Sequence, residues 1–291
     1  MIVDGGGDTG FSGAGQGDGK GVTMDYGYQL LRHVVQQVFG NLGAAAGLTI
    51  GPIVLAIVFG TLLGFLAAVS GSVSGEAAWA GFLAFVMVLG GLAIGVLMYC
   101  WAAVGWHRYV LLEEGGNGMF PLWSWKRVRT YLTRSFLVVI LILVVLVGAL
   151  LAAGSLLFLV QSAALGAAIN VGAAFLASWL ATRIGLVLPA AALEKRMTIA
   201  ESWSATRRVA GQVLLPVIAI AVTFGILGQL NGLLFAADED TAFFLQIGNQ
   251  APRVGGMGIV VLIVLGWLQL LINLALLTTL YGNLVEGRPL N

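Results

Sequence analysis

Apolar residues fill five long tracts of this chain that contain no Asp, Glu, Lys or Arg. An α-helix needs about 20 apolar residues to cross the hydrocarbon core of a bilayer. The tracts accommodate six such helices, at roughly 48–70, 79–105, 135–160, 166–191, 212–235 and 255–284. The fourth helix follows the third after a turn at Gln161-Ser162. The pattern therefore predicts an all-α integral membrane protein with six transmembrane helices that form three hairpins.

A shorter amphipathic segment precedes each predicted hairpin, and each is too polar to span the bilayer. The second segment sets Trp125 and Val128 against Lys126 and Arg127, and the third begins with the capping-box sequence Thr198-Ile-Ala-Glu201. We expect all three to be helices in the headgroup layer. The apolar face of the first comprises Leu31, Val34, Val35, Val38 and Phe39.

The order of one interfacial helix followed by two spans occurs three times, which predicts a degenerate repeat. The repeats cover roughly 24–105, 121–191 and 198–285, and Ser124-Trp125 and Ser202-Trp203 occupy equivalent places in two of them. Residues 1–23 are Gly-rich and resemble no signal peptide, so we expect a flexible cytoplasmic tail before a transmembrane domain at 24–291.

The cationic residues predict the orientation. Of the 14 Lys and Arg residues, 13 lie on the side of the membrane that holds both termini, and only Arg253 lies on the other side. The positive-inside rule therefore places both termini in the cytoplasm. With 59% hydrophobic residues, 9% charged residues and a net charge of +1, the chain favours a lipid bilayer as its surroundings and not a nucleic acid.

Two amides stand out within the spans. Gln269 and Asn273 are four residues apart in the sixth span and share a face of that helix. One interpretation is that they form hydrogen bonds between helices, and the other is that they line a polar path or a lipid-headgroup pocket. The middles of all six spans lack ionisable groups; Arg183, near the end of the fourth span, is interpreted as an anchoring or packing residue.

Cationic and aromatic side chains of the second and third amphipathic segments are candidates for contact with anionic lipid headgroups. These candidates are Lys126, Arg127, Arg129, Arg207, Arg208, Trp125 and Trp203. Glycines at four-residue spacing predict close helix packing, or a face for self-association or for a membrane-protein partner. These glycines are Gly43, Gly47, Gly51, Gly60, Gly64, Gly91 and Gly95.

The sequence gives little support for catalysis, for a metal site or for a cofactor. His107 could act as a general base beside Arg108, although a solvated interfacial cluster is the commoner arrangement. Cys100 lies in an apolar run and is interpreted as a packing residue. The run 238–240 is interpreted as a solvated acidic loop because it lacks the ligand spacing of a calcium loop. We therefore expect a protein that is not an enzyme.

The stretch RIGLVLPAAALE at 183–194, followed by IAESWSATRR at 199–208, resembles a bacterial pattern. It is similar to the YciC-like inner-membrane proteins and to the membrane domain associated with some glycerophosphodiester phosphodiesterases. The resemblance implies six spans with interfacial helices in a bacterial inner membrane. No phosphodiesterase domain follows the sixth span in this sequence, so the resemblance implies no catalysis.

Two functional hypotheses follow from these observations. The first is a non-enzymatic accessory or scaffold subunit of a bacterial membrane assembly, which the small-residue faces and the absence of ionisable groups at membrane depth favour. The second is a lipid-handling or permease-like protein for small amphiphilic solutes, which the pair Gln269 and Asn273 and the basic amphipathic segments favour.

Overall fold

The computed structural model describes residues 19–73, 77–160, 162–235 and 255–290. The predictions for Gln161, residues 238–240 and Arg253 fall outside these ranges. Within them the chain forms helices joined by short connections, with a 3-10 turn at Arg207–Val209. The α-helices are α1 (Gly19–Phe39), α2 (Leu42–Val73), α3 (Ala77–Leu112), α4 (Trp125–Val160), α5 (Ala163–Ile184), α6 (Val187–Ala192), α7 (Ile199–Ala205), α8 (Leu214–Leu234) and α9 (Gly256–Leu284).

Six of these helices are long and apolar enough to cross a bilayer: α2, α3, α4, α5, α8 and α9. Large apolar side chains such as Phe65, Leu151 and Leu233 point outward from them and are 63%, 72% and 77% exposed. Such surfaces are unfavourable in water and favourable in lipid. The chain is therefore a multi-pass α-helical membrane protein, and its described ranges contain the predicted six helices of spanning length.

The packed core lies at one end of the helices. Its largest buried side chains include Trp106, Tyr131 and Tyr281. All three are close to the helix ends that carry the described Lys and Arg residues. This end of the molecule is named the charged end. The second half of α9, from Leu271 to Gly282, is mostly buried, and α9 contacts α1, α3, α6 and α8. Towards the other end the helices expose most of their apolar side chains. The protein is thus held together mainly at its charged end.

Helix α1 is part of this core, so protein covers part of its apolar face. Leu30, Val34 and Val38 are fully buried, and α1 packs against α8 and α9. Val35 and Phe39, which were assigned to the same apolar face, are exposed. A turn at residues 40–41 separates α1 from α2. The helix begins at Gly19, within the predicted tail of residues 1–23.

The second predicted interfacial helix is not a separate element. Trp125 begins α4, which continues without a break to Val160. Neither glycine nor proline occurs in this segment before Gly148, so nothing in its sequence ends a helix after the amphipathic part. The third segment does form a short separate helix, α7. Its predicted capping box is confirmed, because Thr198 and Glu201 bond each other's backbone N–H groups.

The fourth span ends at Ile184, seven residues before the predicted end, and the short buried helix α6 follows it. The hydroxyl of Ser202 supplies bonding partners at this break. It donates to the carbonyl of Arg183 and accepts from the N–H of Leu186, at 2.9 and 3.3 Å. A helix end that is buried needs such partners. Helix α5 begins at Ala163, where Ser162 caps it by accepting from the N–H of Leu165.

The connection between α3 and α4, at 113–124, folds back against α2. The N–H of Gly51 donates to the carbonyl of Met119, and a Cβ at Gly51 would overlap that oxygen. A Cβ at Gly47 would lie 3.0 Å from the carbonyl oxygen of Gly118. These two glycines therefore admit the 113–124 connection, whereas the sequence predicted that they pack against another helix. Gly43 faces open space.

We predict that Gly51→Ala destabilises the protein whereas Gly43→Ala, on the same helix, does not. The new methyl group at residue 51 displaces the connection, which should cost about 1–3 kcal/mol. At residue 43 an alanine favours the helix by about 1 kcal/mol. Thermal unfolding of both purified variants in one detergent measures the difference. Equal midpoints for the two variants would contradict the packing of the connection on α2.

Candidate functional site

A cavity of about 280 Å³ lies between α3, α4, α5, α6, α8 and α9. Gln269 and Asn273, the amide pair of the sixth span, both lie on its wall. Tyr99 of α3 and Ser178 and Thr182 of α5 bring three hydroxyl groups to the same cavity. Leucines, valines and other apolar residues form the rest of the wall. The cavity therefore combines an apolar lining with a small set of neutral polar groups, as ligand pockets commonly do.

The two amides of the cavity have no hydrogen-bond partner among the described residues, and neither does the hydroxyl of Tyr99. Ser178 and Thr182 donate within α5, to the carbonyls of Ala174 and Trp179. Gln269 is half-buried and Asn273 is exposed. Within the described residues, neither amide forms a hydrogen bond to a neighbouring helix. An amide at this depth gains from any ligand that supplies the missing bonds.

The cavity lies next to the charged end. Thr182 adjoins Arg183, and Asn273 precedes the end of α9 by eleven residues, or about 16 Å of helix. The sequence had identified the amide pair but missed the hydroxyls of Tyr99, Ser178 and Thr182. Ser178 and Thr182 are four residues apart and share one face of α5, which is a signal of the same kind as the amide pair.

Arg183 packs between helices, as predicted. It is 4% exposed, and its guanidinium donates to the hydroxyl of Thr206 at 2.8 Å and to the carbonyl of Trp203 at 3.1 Å. The guanidinium lies 3.9 Å from the centre of the Trp203 ring and 5.2 Å from that of Trp179. Through these contacts and those of Ser202, the Ser202-Trp203 pair fastens α7 to the end of α5.

A network of ion pairs ties the α3–α4 connection to the segment after α6. Glu114 pairs with Arg108 and with Arg127, and Arg127 also approaches Glu194 at 3.5 Å. Lys126 pairs with Glu194 at 2.8 Å. Hydrogen bonding from Arg108, with further help from Arg127, lowers the pKa of Glu114. A hydrogen bond from Lys126 and the charge of Arg127 do the same for the pKa of Glu194.

The structure divides the residues that were predicted to meet lipid headgroups. Lys126 and Arg127 are engaged in the ion pairs above, which compete with any lipid phosphate. The guanidinium of Arg183 covers one face of the Trp203 ring. The other four are exposed, and none of the three arginines has a carboxylate partner within the described ranges. They are Arg129, Arg207, Arg208 and Trp125.

His107 is neither a solvated interfacial residue nor accessible as a base. It is fully buried, with Nδ1 2.7 Å from the hydroxyl of Thr278 and Nε2 3.2 Å from that of Tyr131. The imidazole thus joins α3 to α9 and α4. Cys100 is buried in the core, as its interpretation as a packing residue requires.

The remaining glycines lie on the α2–α3 hairpin. A Cβ at Gly91 would lie 3.8 Å from the Cα of Gly60, so these two allow the helices to approach closely, as predicted. Gly64 and Gly95 have open space in front of them. All four line one shallow groove of about 530 Å³ on the surface of the hairpin.

Comparisons with known proteins give no relative. No family model matches the chain, and neither a curated protein nor a solved structure matches it.

We predict that Glu114→Gln destabilises the protein at neutral pH by about 1–3 kcal/mol, whereas Glu113→Gln changes little. Glu113 is exposed and forms none of these pairs. Because the pKa of Glu114 is lowered by folding, its stabilisation is present above the ordinary carboxyl pKa of 4.5 and is lost as the pH falls through the lowered value.

Thermal unfolding of the wild type and of both variants between pH 3 and pH 8 tests this prediction. The difference between the wild type and Glu114→Gln should shrink on acidification. A difference that is constant over this range would assign the effect to packing and not to the charge of Glu114.

Proposed function

We propose that this membrane protein is not an enzyme and binds small neutral amphiphiles next to its charged end, as a lipid-handling or permease-like protein. The observation that carries this proposal is the pair of unpartnered amides, Gln269 and Asn273, on the wall of one cavity. The cavity lining contains no Asp, Glu, Lys, Arg or His. A ligand with hydroxyl, amide or carbonyl groups and an apolar chain complements such a wall, whereas a charged ligand does not.

The proposed setting is a bacterial inner membrane with the charged end towards the cytoplasm. The distribution of 13 cationic residues against one supports this orientation. The resemblance of 183–194 and 199–208 to YciC-like inner-membrane proteins supports a bacterial inner membrane as the location. In this setting the amphiphile reaches the cavity from the cytoplasmic leaflet.

We predict that the double variant Gln269→Leu, Asn273→Leu loses amphiphile binding by about tenfold or more, because two hydrogen bonds to the ligand are removed. Its thermal stability without ligand should stay equal or rise, since neither amide has a protein partner in the described structure. The probe is a photoreactive monoacylglycerol in proteoliposomes, and the measurement is the concentration dependence of labelling of the purified protein.

Gln229→Leu is the matched control, because Gln229 is an exposed amide on α8 and lies outside the cavity. Its labelling should equal that of the wild type. Unchanged labelling of the double variant would overturn the proposal. A fall in its thermal stability would instead assign the amides a structural role.

A second candidate function is that of an accessory subunit, and the groove on the α2–α3 hairpin favours it. Gly60, Gly64, Gly91 and Gly95 leave this groove open, and the hairpin exposes apolar side chains on both helices. A helix of a partner, or of a second copy, can approach closely against such a surface.

We predict for this candidate that Gly64→Leu together with Gly95→Leu dissociates the complex that the wild type forms in its native membrane. The leucines fill the groove that the partner helix would occupy. Cross-linking in membranes, followed by native mass spectrometry, measures the complex. Gly148→Leu, at an open glycine of α4, is the control and should leave it intact. A wild-type protein that stays monomeric and alone in its membrane would exclude this function.

A further inference from the structure

A second opening lies on the opposite side of α5 from the amide cavity. It is an apolar groove of about 450 Å³ between α4, α5 and α7. Its walls include Leu141 and Val145 of α4 and Leu180 and Ile184 of α5. Ala200 and Trp203 of α7 close it towards the charged end. The groove therefore runs along membrane-spanning helices and ends beneath a helix that lies at the charged end.

Two arginines without a carboxylate partner in the described ranges are close in sequence to residues at the closed end of this groove. Arg183 lies between Thr182, which lines the amide cavity, and Ile184, which lines this groove. The guanidinium of Arg183 stacks on the ring of Trp203. Arg207 directly follows Thr206, the residue to which Arg183 donates. Neither arginine pairs with a carboxylate among the residues that the structure describes. The nearby Glu201 is held in the capping box of α7.

Arg207 has the position on this segment that suits a ligand in the groove. Ala200 and Trp203 are three residues apart in α7 and fall on one side of that helix. Arg207 is exposed and begins the 3-10 turn after α7, directly after Thr206, to which Arg183 donates. Arg208 is also exposed, but it lies one residue further along the chain from that contact. The two neighbouring arginines therefore differ in their relation to the groove.

We infer that this groove binds one acyl chain of an anionic phospholipid, with the phosphate of the headgroup at Arg207 and beside Arg183. An apolar groove at membrane depth accommodates the chain, and an exposed guanidinium donates to phosphate oxygens. The same phosphate supplies a counter-charge to the buried guanidinium of Arg183. No carboxylate of the described protein supplies one. The site differs from the amide cavity, whose lining has no charged residue, and does not depend on it.

The test is native mass spectrometry of the purified full-length protein titrated with phosphatidylglycerol or with phosphatidylcholine of identical chains. The wild type should bind the first phosphatidylglycerol more tightly than the first phosphatidylcholine. Arg207→Gln should weaken phosphatidylglycerol binding by about fivefold, the effect of one cation near a membrane surface, and leave phosphatidylcholine unchanged. Arg208→Gln is the matched control for net charge and should change binding by less than about twofold.

A second pair of variants tests the groove itself. Ala200 is exposed and lines the groove, so Ala200→Trp fills it with little effect on folding and should weaken the binding of both lipids. Thr223→Trp places the same ring on exposed α8 and should weaken neither. Equal effects of Arg207→Gln and Arg208→Gln, or tight lipid binding by Ala200→Trp, would overturn the inference in favour of diffuse attraction to the membrane surface.

Discussion

The burial of the second half of α9 is the constraint on which the rest of the structure depends. From Leu271 to Gly282 this helix is mostly enclosed, and it contacts α1, α3, α6 and α8. Polar bonds fix these contacts: Thr278 meets His107, Thr279 donates to Gln37, and Tyr26 donates to Asn283. Lipid tails give apolar helices no hydrophobic reason to associate. The contacts at the charged end therefore determine how the six spans are arranged.

The amide cavity is a consequence of where this enclosure begins. Ile272 is buried, whereas Gln269 on the preceding turn is half-buried and Asn273, on the cavity side, is exposed. The wall of the cavity thus forms where α9 passes from dense packing to looser surroundings. Amides at that boundary can meet a ligand without the loss of any bond within the described protein. This is the physical reason for preferring binding over a purely structural role for the pair.

Local signals in the sequence predicted the local features. The apolar tracts predicted the six helices of spanning length, and Thr198 and Glu201 predicted the capping box. Features that depend on distant residues were missed. The end of α5 depends on the hydroxyl of Ser202, and the glycines of α2 proved to admit the 113–124 connection. Periodicity identifies the apolar face of a helix, but it does not say whether lipid or protein covers that face.

Helix α5 connects the two proposed sites. Ser178 and Thr182 line the amide cavity, whereas Leu180 and Ile184, offset by two residues, line the groove beside α7. The end of this helix is held by α7, because Ser202 and Thr206 both donate to the carbonyl of Arg183. A displacement of α7 would therefore move Arg183 and the adjoining Thr182 together. A phospholipid seated beneath α7 would stabilise this arrangement, so the lipid composition of the membrane would bear on the shape of the amide cavity as well.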